Sequence, residues 1–275
     1  MPQFMYGTIF LNNGEDKVTY AARPGVPLGT RGVTEDGRAF RLASANAALE
    51  AGRVVQARAG VADFDMDLSV ENGASVGDFD VQVLLGATTL GEDEFAGGEM
   101  YINDGPGEGH LYRIASHAAA EVSTPATITL AEPVRSTLMT TLSLAGLIHN
   151  EYSSVVEIDA DTALTGIKGV TPVAVAAGRF FWCQTWGRAS VLTSSATTLP
   201  VVGAVVIPQL TSSTIAGAIE AMEQFATALP VQSSTFASAG VPAGMGTRDL
   251  PILGVAELIQ AVDTDYQIVF LTIKP

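Results

Sequence analysis

Cysteine, histidine and lysine are scarce in this 275-residue chain. Its single cysteine, Cys183, can form no intrachain disulfide and no thiolate metal cluster, which fits folding in a reducing compartment. The three histidines, His110, His117 and His149, lack the close spacing that sets two imidazoles on one metal, so we expect them at the surface or in turns. The sequence therefore predicts no metal site and no cofactor.

Long apolar runs are absent as well. No segment approaches the roughly 20 consecutive apolar residues that cross a bilayer. The first residues, MPQFMYGTIFLNNGED, lack the basic flank and apolar core of a signal peptide. We expect a soluble protein with no membrane partner and no export.

Positive charge is outweighed by negative charge. Fourteen Lys and Arg face 29 Asp and Glu, which gives a formal net charge of -15 and a pI near 4.4. Such a surface repels nucleic-acid phosphates, so we expect no direct nucleic-acid binding. The same charge keeps a protein soluble at the high local concentration of a multi-copy assembly.

Composition favours strands over long helices. Hydrophobic residues make up 47% of the chain, charged residues only 16%, and 28 glycines punctuate short runs rich in Val and Thr. We predict an all-β, mainly antiparallel fold. It would contain two small glycine-punctuated β-barrel or sandwich domains, an extended N-terminal arm and at most one or two short helices.

The predicted organisation has three parts: an arm at 1–29, a β domain at 30–159, and a β-barrel-like domain at 160–275 with an inserted loop around 211–250. The arm mixes short apolar pieces with turn formers. Phe4, Tyr6 and Phe10 cannot all be hidden by so short a segment, so they need a partner surface in this subunit or another. An ordinary edge strand of the core is an equally open interpretation.

Two glycine-containing turns predict hairpins. Asp36-Gly37 lies between two strand-like runs, as in tight turns that need positive φ. The loop NDGPGEG at 103–109 separates two alternating segments, and its Asp104 and Glu108 make an anion site a poor alternative.

The segment DFDMDLSV alternates acidic and apolar residues. In a strand, Asp63, Asp65 and Asp67 would share one solvated face, opposite Phe64, Met66 and Leu68. A calcium site is the weaker alternative for these aspartates, because the glycine and glutamate of an EF-hand loop are missing.

The C-terminal part contains one helical pattern and one strand pattern. Apolar residues recur at helical spacing at Ile215, Ile219, Met222, Ala226 and Leu229, which predicts one helix. The ending DTDYQIVFLTI sets Ile268, Phe270 and Thr272 against Val269, Leu271 and Ile273, which predicts a terminal strand buried on at least one face.

Catalytic motifs are missing. There is no GxxxxGK[ST] phosphate loop and no GxSxG elbow, since the text around Ser190 lacks the second glycine. Carboxylate pairs of glycosidases are defined in space, so sequence neither finds nor excludes them. Phe180, Phe181, Trp182 and Trp186 fit a core or a subunit interface better than a sugar groove.

Several collinear segments resemble structural proteins of tailed-phage particles, usually assigned as head decoration, cement or fibre-like components. Order and spacing follow that group from Leu28 onward, although each motif alone is weak. The matching segments are LGTRGVTEDGRAFRLA (Leu28 to Ala43), EFAGGEMYINDGPGEGHLYRIASH (Glu94 to His117), ITLAEPVRSTL (Ile128 to Leu138), HNEYSSVV (His149 to Val156), FFWCQTWGRASVL (Phe180 to Leu192) and DTDYQIVFLTI. The arm before Leu28 and the insert between Thr211 and Pro251 depart from the group.

This resemblance implies a non-enzymatic virion protein on the outer surface of the phage head, assembled in the host cytoplasm. Its partners would be the major capsid protein and itself, most often as a homotrimer, with several modest contacts acting together. The expected contact residues are Phe4, Tyr6, Phe10, Phe181, Trp182 and Trp186. The alternatives are a head-fibre or tail component that binds host glycans and, less favoured, a carboxylate-based glycosidase or depolymerase.

Overall fold

The computed structural model describes residues 7–159, 164–194, 199–209, 215–222, 252–258 and 264–275. Regular structure in these ranges is almost entirely β-strand, which confirms the predicted all-β class. A four-residue helix, α1 (Ala62–Asp65), and a 3-10 turn, Glu15–Lys17, accompany the strands. The strands are β1 (Ile9–Phe10), β2 (Thr19–Tyr20), β3 (Arg31–Val33), β4 (Ala39–Ser44), β5 (Val54–Gln56), β6 (Leu68–Ser69), β7 (Asp80–Leu84), β8 (Glu99–Asp104), β9 (Leu111–His117), β10 (Pro125–Leu130), β11 (Leu144–Ile148), β12 (Val156–Glu157), β13 (Ile167–Val170), β14 (Phe180–Leu192), β15 (Val205–Pro208), β16 (Ile219–Ala221), β17 (Gly254–Ala256) and β18 (Tyr266–Thr272).

A twelve-stranded sheet, the first sheet, joins the two ends of the chain. Its main order is β1-β3-β4-β14-β18-β17-β15-β16, and β2, β5, β12 and β13 pair beside this path. The 13-residue strand β14 pairs with β4 from Phe180 to Trp186 and with β18 from Trp186 to Leu192. Among the described strands of this sheet, every ladder is antiparallel except that of β1 with β3, and isolated parallel bridges join Ala45 to Val155 and Thr193 to Ile219. The mainly antiparallel prediction is therefore confirmed.

A second, six-stranded sheet has the order β6-β11-β8-β9-β10-β7. A bridge between Val70 and Val83 connects the chain after β6 to β7, so this sheet is nearly closed. Its interior is filled by a separate apolar cluster that includes Phe95 and Tyr112. We call residues 60–149 the inserted module, because they lie between β5 and β12, which pair with each other.

The strand pairing does not follow the predicted division at residue 160. Strands from 31–56 and strands from 156–272 share the first sheet, while the second sheet lies inside the segment that was predicted as one β domain. Local turn signals could not reveal which distant strands pair, because pairing partners are set by tertiary packing.

The N-terminal residues pack on their own subunit. Leu11, Tyr20 and Leu28 belong to or pack against the cluster formed with Phe40 and Trp182. In addition, β1 pairs with β3, and β2 pairs with β14. Within residues 7–29, β1 and β2 are thus strands of the first sheet, as in the edge-strand interpretation.

Both predicted hairpins are confirmed. β3 and β4 flank the Asp36-Gly37 turn, where Gly37 has φ of 82° and the Thr34 side chain donates to Asp36. β8 and β9 flank the glycine-rich loop. Positive φ at Gly105, Gly107 and Gly109 explains why the loop needs glycine at these positions.

Two local predictions are wrong. The segment around Asp63 is not a strand, because Ala62–Asp65 is helical and Asp67 has φ of 64°, so the three aspartates share no strand face. Ile219–Ala221 is strand β16 instead of helix, because it pairs with β15. Residues 223–229 of that predicted helix, and most of the loop predicted around 211–250, lie outside the described residues.

The close approach of β17 and β18 yields a stability prediction. A Cβ at Gly254 would overlap the carbonyl oxygen of Phe270, so Gly254→Ala must separate the paired strands. We expect a loss of about 1–3 kcal/mol in unfolding free energy, measured by denaturant titration. Gly86→Ala is the matched control, since its Cβ would lie 3.7 Å from Asp63 at ordinary contact distance. Equal stability of both variants would contradict this pairing.

Candidate interaction surface

Strands β14, β18, β17, β15 and β16 have one face on the core and one face outward. Val191, Val206, Ala256 and Val269 point into a shared apolar cluster. The residues that alternate with them form the opposite face, which we call the outer face. Alternation follows from the two-residue period of a strand.

A row of apolar side chains crosses the outer face. Phe270 is paired with Val255, and Val255 is paired with Val205. The Met222 N–H donates to the Val205 carbonyl, which places Met222 beside Val205 at the end of this row. We call Phe270, Val255, Val205 and Met222 the apolar row; Val255 is 39% and Met222 42% exposed.

Further exposed apolar residues belong to the same strands or to segments next to them. They are Val201, Val202, Ile252 and Leu258, each more than half exposed. The turn at Val202 is fixed beside the row because the Gly203 N–H donates to the Ala256 carbonyl. Exposed apolar side chains on and beside a rigid sheet are typical of a protein contact surface.

Trp186 is the predicted contact residue that lies on the outer face. It is half-buried and makes an edge-to-face contact with Phe270, with ring centroids 5.5 Å apart. Arg188, on the same strand, is paired with Phe270 and salt-bridged to Glu257 at 2.6 Å. A charged rim therefore borders the apolar row, as at many protein interfaces.

Phe181 and Trp182 do not lie on a surface. Phe181 is fully buried in a cluster with Ala43 and Cys183, and Trp182 is 2% exposed beneath the N-terminal residues. Neither side chain can reach a partner, so their predicted interface role is corrected. The physical reason is that β14 is covered on both faces at this end.

The remaining predicted contact residues are at the N-terminus. Phe10 is 80% exposed in β1, at the opposite end of the first sheet from β16. Its neighbours Ile9 and Leu11 pack on the core cluster instead. Phe4 and Tyr6 lie outside the described residues.

Negative charge is concentrated in the inserted module. Residues 60–149 contain 14 Asp and Glu but only two Lys and Arg, so they carry -12 of the chain's net charge of -15. The remaining residues are nearly balanced and contain the apolar row. Net charge alone does not reveal this division, because it depends on which segment forms the second sheet.

Cations gather in a groove of about 440 Å³ along β14. Lys17, Arg38 and Arg188 line it together with Ser190 and Tyr266, and its lining includes no Asp or Glu. Because Arg188 also borders the apolar row, the groove and the row are neighbours on the outer face.

His117 is buried in the inserted module and the His149 side chain is only 7% exposed, contrary to the predicted surface positions. His117 Nε2 accepts a hydrogen bond from the Phe95 N–H at 3.0 Å. His149 stacks on the Phe95 ring with centroids 3.9 Å apart. His110 is half-exposed in the β8–β9 loop.

Glu94 ties together the two chain segments that enter and leave the inserted module. Its Oε1 lies 3.4 Å from Arg58 Nη1 on the entering segment and 3.3 Å from His149 Nε2 on the leaving segment. Burial lowers the pKa of His149 and Arg58 lowers it further, which outweighs the opposing effect of Glu94 and Asp65. Burial alone would raise the pKa of Glu94, but the Gly91 N–H, His149 and Arg58 hold it below its usual value.

Among the described residues, no three His, Cys, Asp or Glu side chains are grouped as a metal site requires. The described helices are all too short to cross a membrane. Comparisons of the chain with protein-family models, curated proteins and solved structures found no match.

The His149 environment predicts acid sensitivity of the module junction. In the unfolded chain His149 is protonated as the pH drops below its ordinary pKa of 6.5, whereas in the folded protein its lowered pKa keeps it neutral to lower pH. Protonation therefore favours the unfolded state, and the free energy of unfolding falls as the pH drops through 6.5. His149→Gln should flatten this slope between about pH 7 and pH 5, measured by urea titration at each pH. His110→Gln, at a half-exposed position, is the control and should keep the wild-type slope. An unchanged slope in His149→Gln would rule out His149 as its source.

Proposed function

We propose that this chain is a decoration, or cement, protein of a tailed-phage head. In this role it binds the outer surface of the assembled shell and bridges neighbouring major capsid protein subunits. It acts as a homo-oligomer, and the resemblance favours a trimer. The supporting structural observation is the apolar row on the outer face of the first sheet.

The apolar row suits attachment to a large, flat partner. Phe270, Val255 and Val205 are fixed by strand pairing on three adjacent strands, so little side-chain or backbone entropy is lost on binding. Each Å² of apolar area removed from water contributes about 25 cal/mol. The rim formed by Arg188 and Glu257 helps to orient the partner, and it contributes little to the binding free energy.

Multivalency turns such a modest contact into stable decoration. When several copies are joined in one oligomer, each further contact forms at a high effective concentration, so the assembly dissociates far more slowly than a single copy. No catalytic step enters this mechanism. The effect on the shell is mechanical, because bridged capsid subunits separate less readily under internal pressure.

The uneven charge is consistent with the same role. A protein displayed in many copies must remain soluble, and the inserted module carries most of the negative charge that achieves this. The segments that contain the apolar row are nearly neutral, so they can approach another protein without strong repulsion.

Glycan binding by a head-fibre or tail component is less well supported. That alternative relied on an aromatic platform around Trp182 and Trp186. Trp182 and Phe181 are buried. Of the predicted aromatic group on β14, only Phe180 and Trp186 are half-exposed. No specific contact in the described residues favours the glycosidase alternative.

Val255→Lys tests the proposed contact. It places a charge in the middle of the apolar row, and we expect shell binding to weaken at least about tenfold, since an interfacial charge without a partner must be desolvated. The measurement is co-sedimentation of purified protein with undecorated shells of the phage that encodes this chain. Unchanged binding would remove the row from the contact.

Val76→Lys is the matched control for this substitution. Val76 is 63% exposed in the inserted module, so it introduces the same charge without touching the row. It should bind like the wild type, and both variants should have similar melting temperatures. Failure of the wild-type protein to bind any such shell would overturn the proposed function itself.

A further inference from the structure

The charge distribution limits how two copies of this chain can meet. With a net charge of -15, two copies repel each other at long range in most orientations. The inserted module, at -12, contributes most of this repulsion. Association becomes favourable where a cationic surface of one copy faces the acidic surface of the other.

The groove along β14 is such a cationic surface. Its lining contains Lys17, Arg38 and Arg188 but no Asp or Glu, and Gln184, Ser190 and Tyr266 contribute polar groups. Asp16, Asp36 and Glu257, which lie outside the lining, pair with the two arginines. The groove along β14 contrasts with the neighbouring groove around Gly14, whose lining includes Asp16, Glu35 and Asp36.

Two of the three cations remain available to a partner. Arg38 is held from both sides, by Asp16 at 3.0 Å and by Asp36 at 2.7 Å. Arg188 is 73% exposed and uses its Nε for Glu257, which leaves its terminal nitrogens outward. Lys17 is exposed and has no salt bridge to any described residue.

We infer that this groove binds the inserted module of a second copy of the chain, with Lys17 and Arg188 contacting carboxylates of that module. The inference builds on the self-association in the proposed function and names its surfaces. Because the two contacting surfaces differ, the contact is head-to-tail, and such contacts close into rings when the rotation between copies allows it. A ring agrees with the expected trimer.

The double variant Lys17→Glu/Arg188→Glu tests the groove. Sedimentation velocity should show a dissociation constant for self-association at least about tenfold higher than in the wild type. Wild-type association should also weaken between about 50 mM and 500 mM NaCl, because the screening length falls below the reach of these charges.

Arg23→Glu/Arg179→Glu is the matched control. Both arginines are exposed and neither lines the groove, so this variant has the same net charge as the test variant. It should associate like the wild type apart from a small general repulsion. Equal association of the two double variants, or a wild type that stays monomeric at every salt concentration, overturns the inference.

Carbodiimide cross-linking identifies the partner surface, because the chain has only three lysines. Lys168 and Lys274 lie 2.7 Å and 3.0 Å from Glu151, so their links to Glu151 within one chain are the internal standard. In a mixture of isotopically labelled and unlabelled protein, Lys17 should link between chains to Asp or Glu of residues 60–149. Intermolecular Lys17 links confined to other segments would contradict the inferred contact.

The outcome is distinguishable from failure of the proposed function. The single variant Lys17→Glu retains the apolar row and its Arg188–Glu257 rim, so single copies should still bind undecorated shells, but more weakly because multivalency is lost. If the wild-type protein self-associates normally but does not bind shells, the decoration role is contradicted and the groove contact still stands.

Discussion

The pairing of β14 with strands from both ends of the chain is the constraint on which the structure depends. Its first half is fixed by β4 and its second half by β18, so one strand connects the N-terminal and C-terminal segments. These contacts are distant in sequence, and the entropy of closing such long loops must be met before the sheet forms. The outer face, the apolar row and the cationic groove all exist only when this pairing is complete.

The same pairing explains how a second sheet can be accommodated. β5 and β12 are neighbours, so the chain leaves the first sheet and returns to it at nearly the same place. The inserted module can then fill its own core without interrupting the first sheet. Glu94 joins the two connecting segments through Arg58 and His149. Protonation of His149 therefore affects the contact between these two segments.

Features set by local chemistry were predictable from the sequence, and features set by distant partners were not. Asp36-Gly37 predicts its own hairpin because a turn is specified by its own residues. The alternation in β18 likewise predicts its two faces. Ile219 shows the limit: its helical spacing with Met222 is real, yet pairing with β15 overrides it. The location of the second sheet could not be derived for the same reason.

The contact surface was only partly predictable, and β14 illustrates why. From Phe180 to Cys183 the strand is apolar at every position, which is the pattern of a strand covered on both faces. From Trp186 to Val191 it alternates, with Arg188 and Ser190 on one side and Ala189 and Val191 on the other. The change from a continuous to an alternating pattern marks where the outer face becomes uncovered. Aromatic content alone suggested one interface; the period of the pattern separates the core residues Phe181 and Trp182 from the surface residue Trp186.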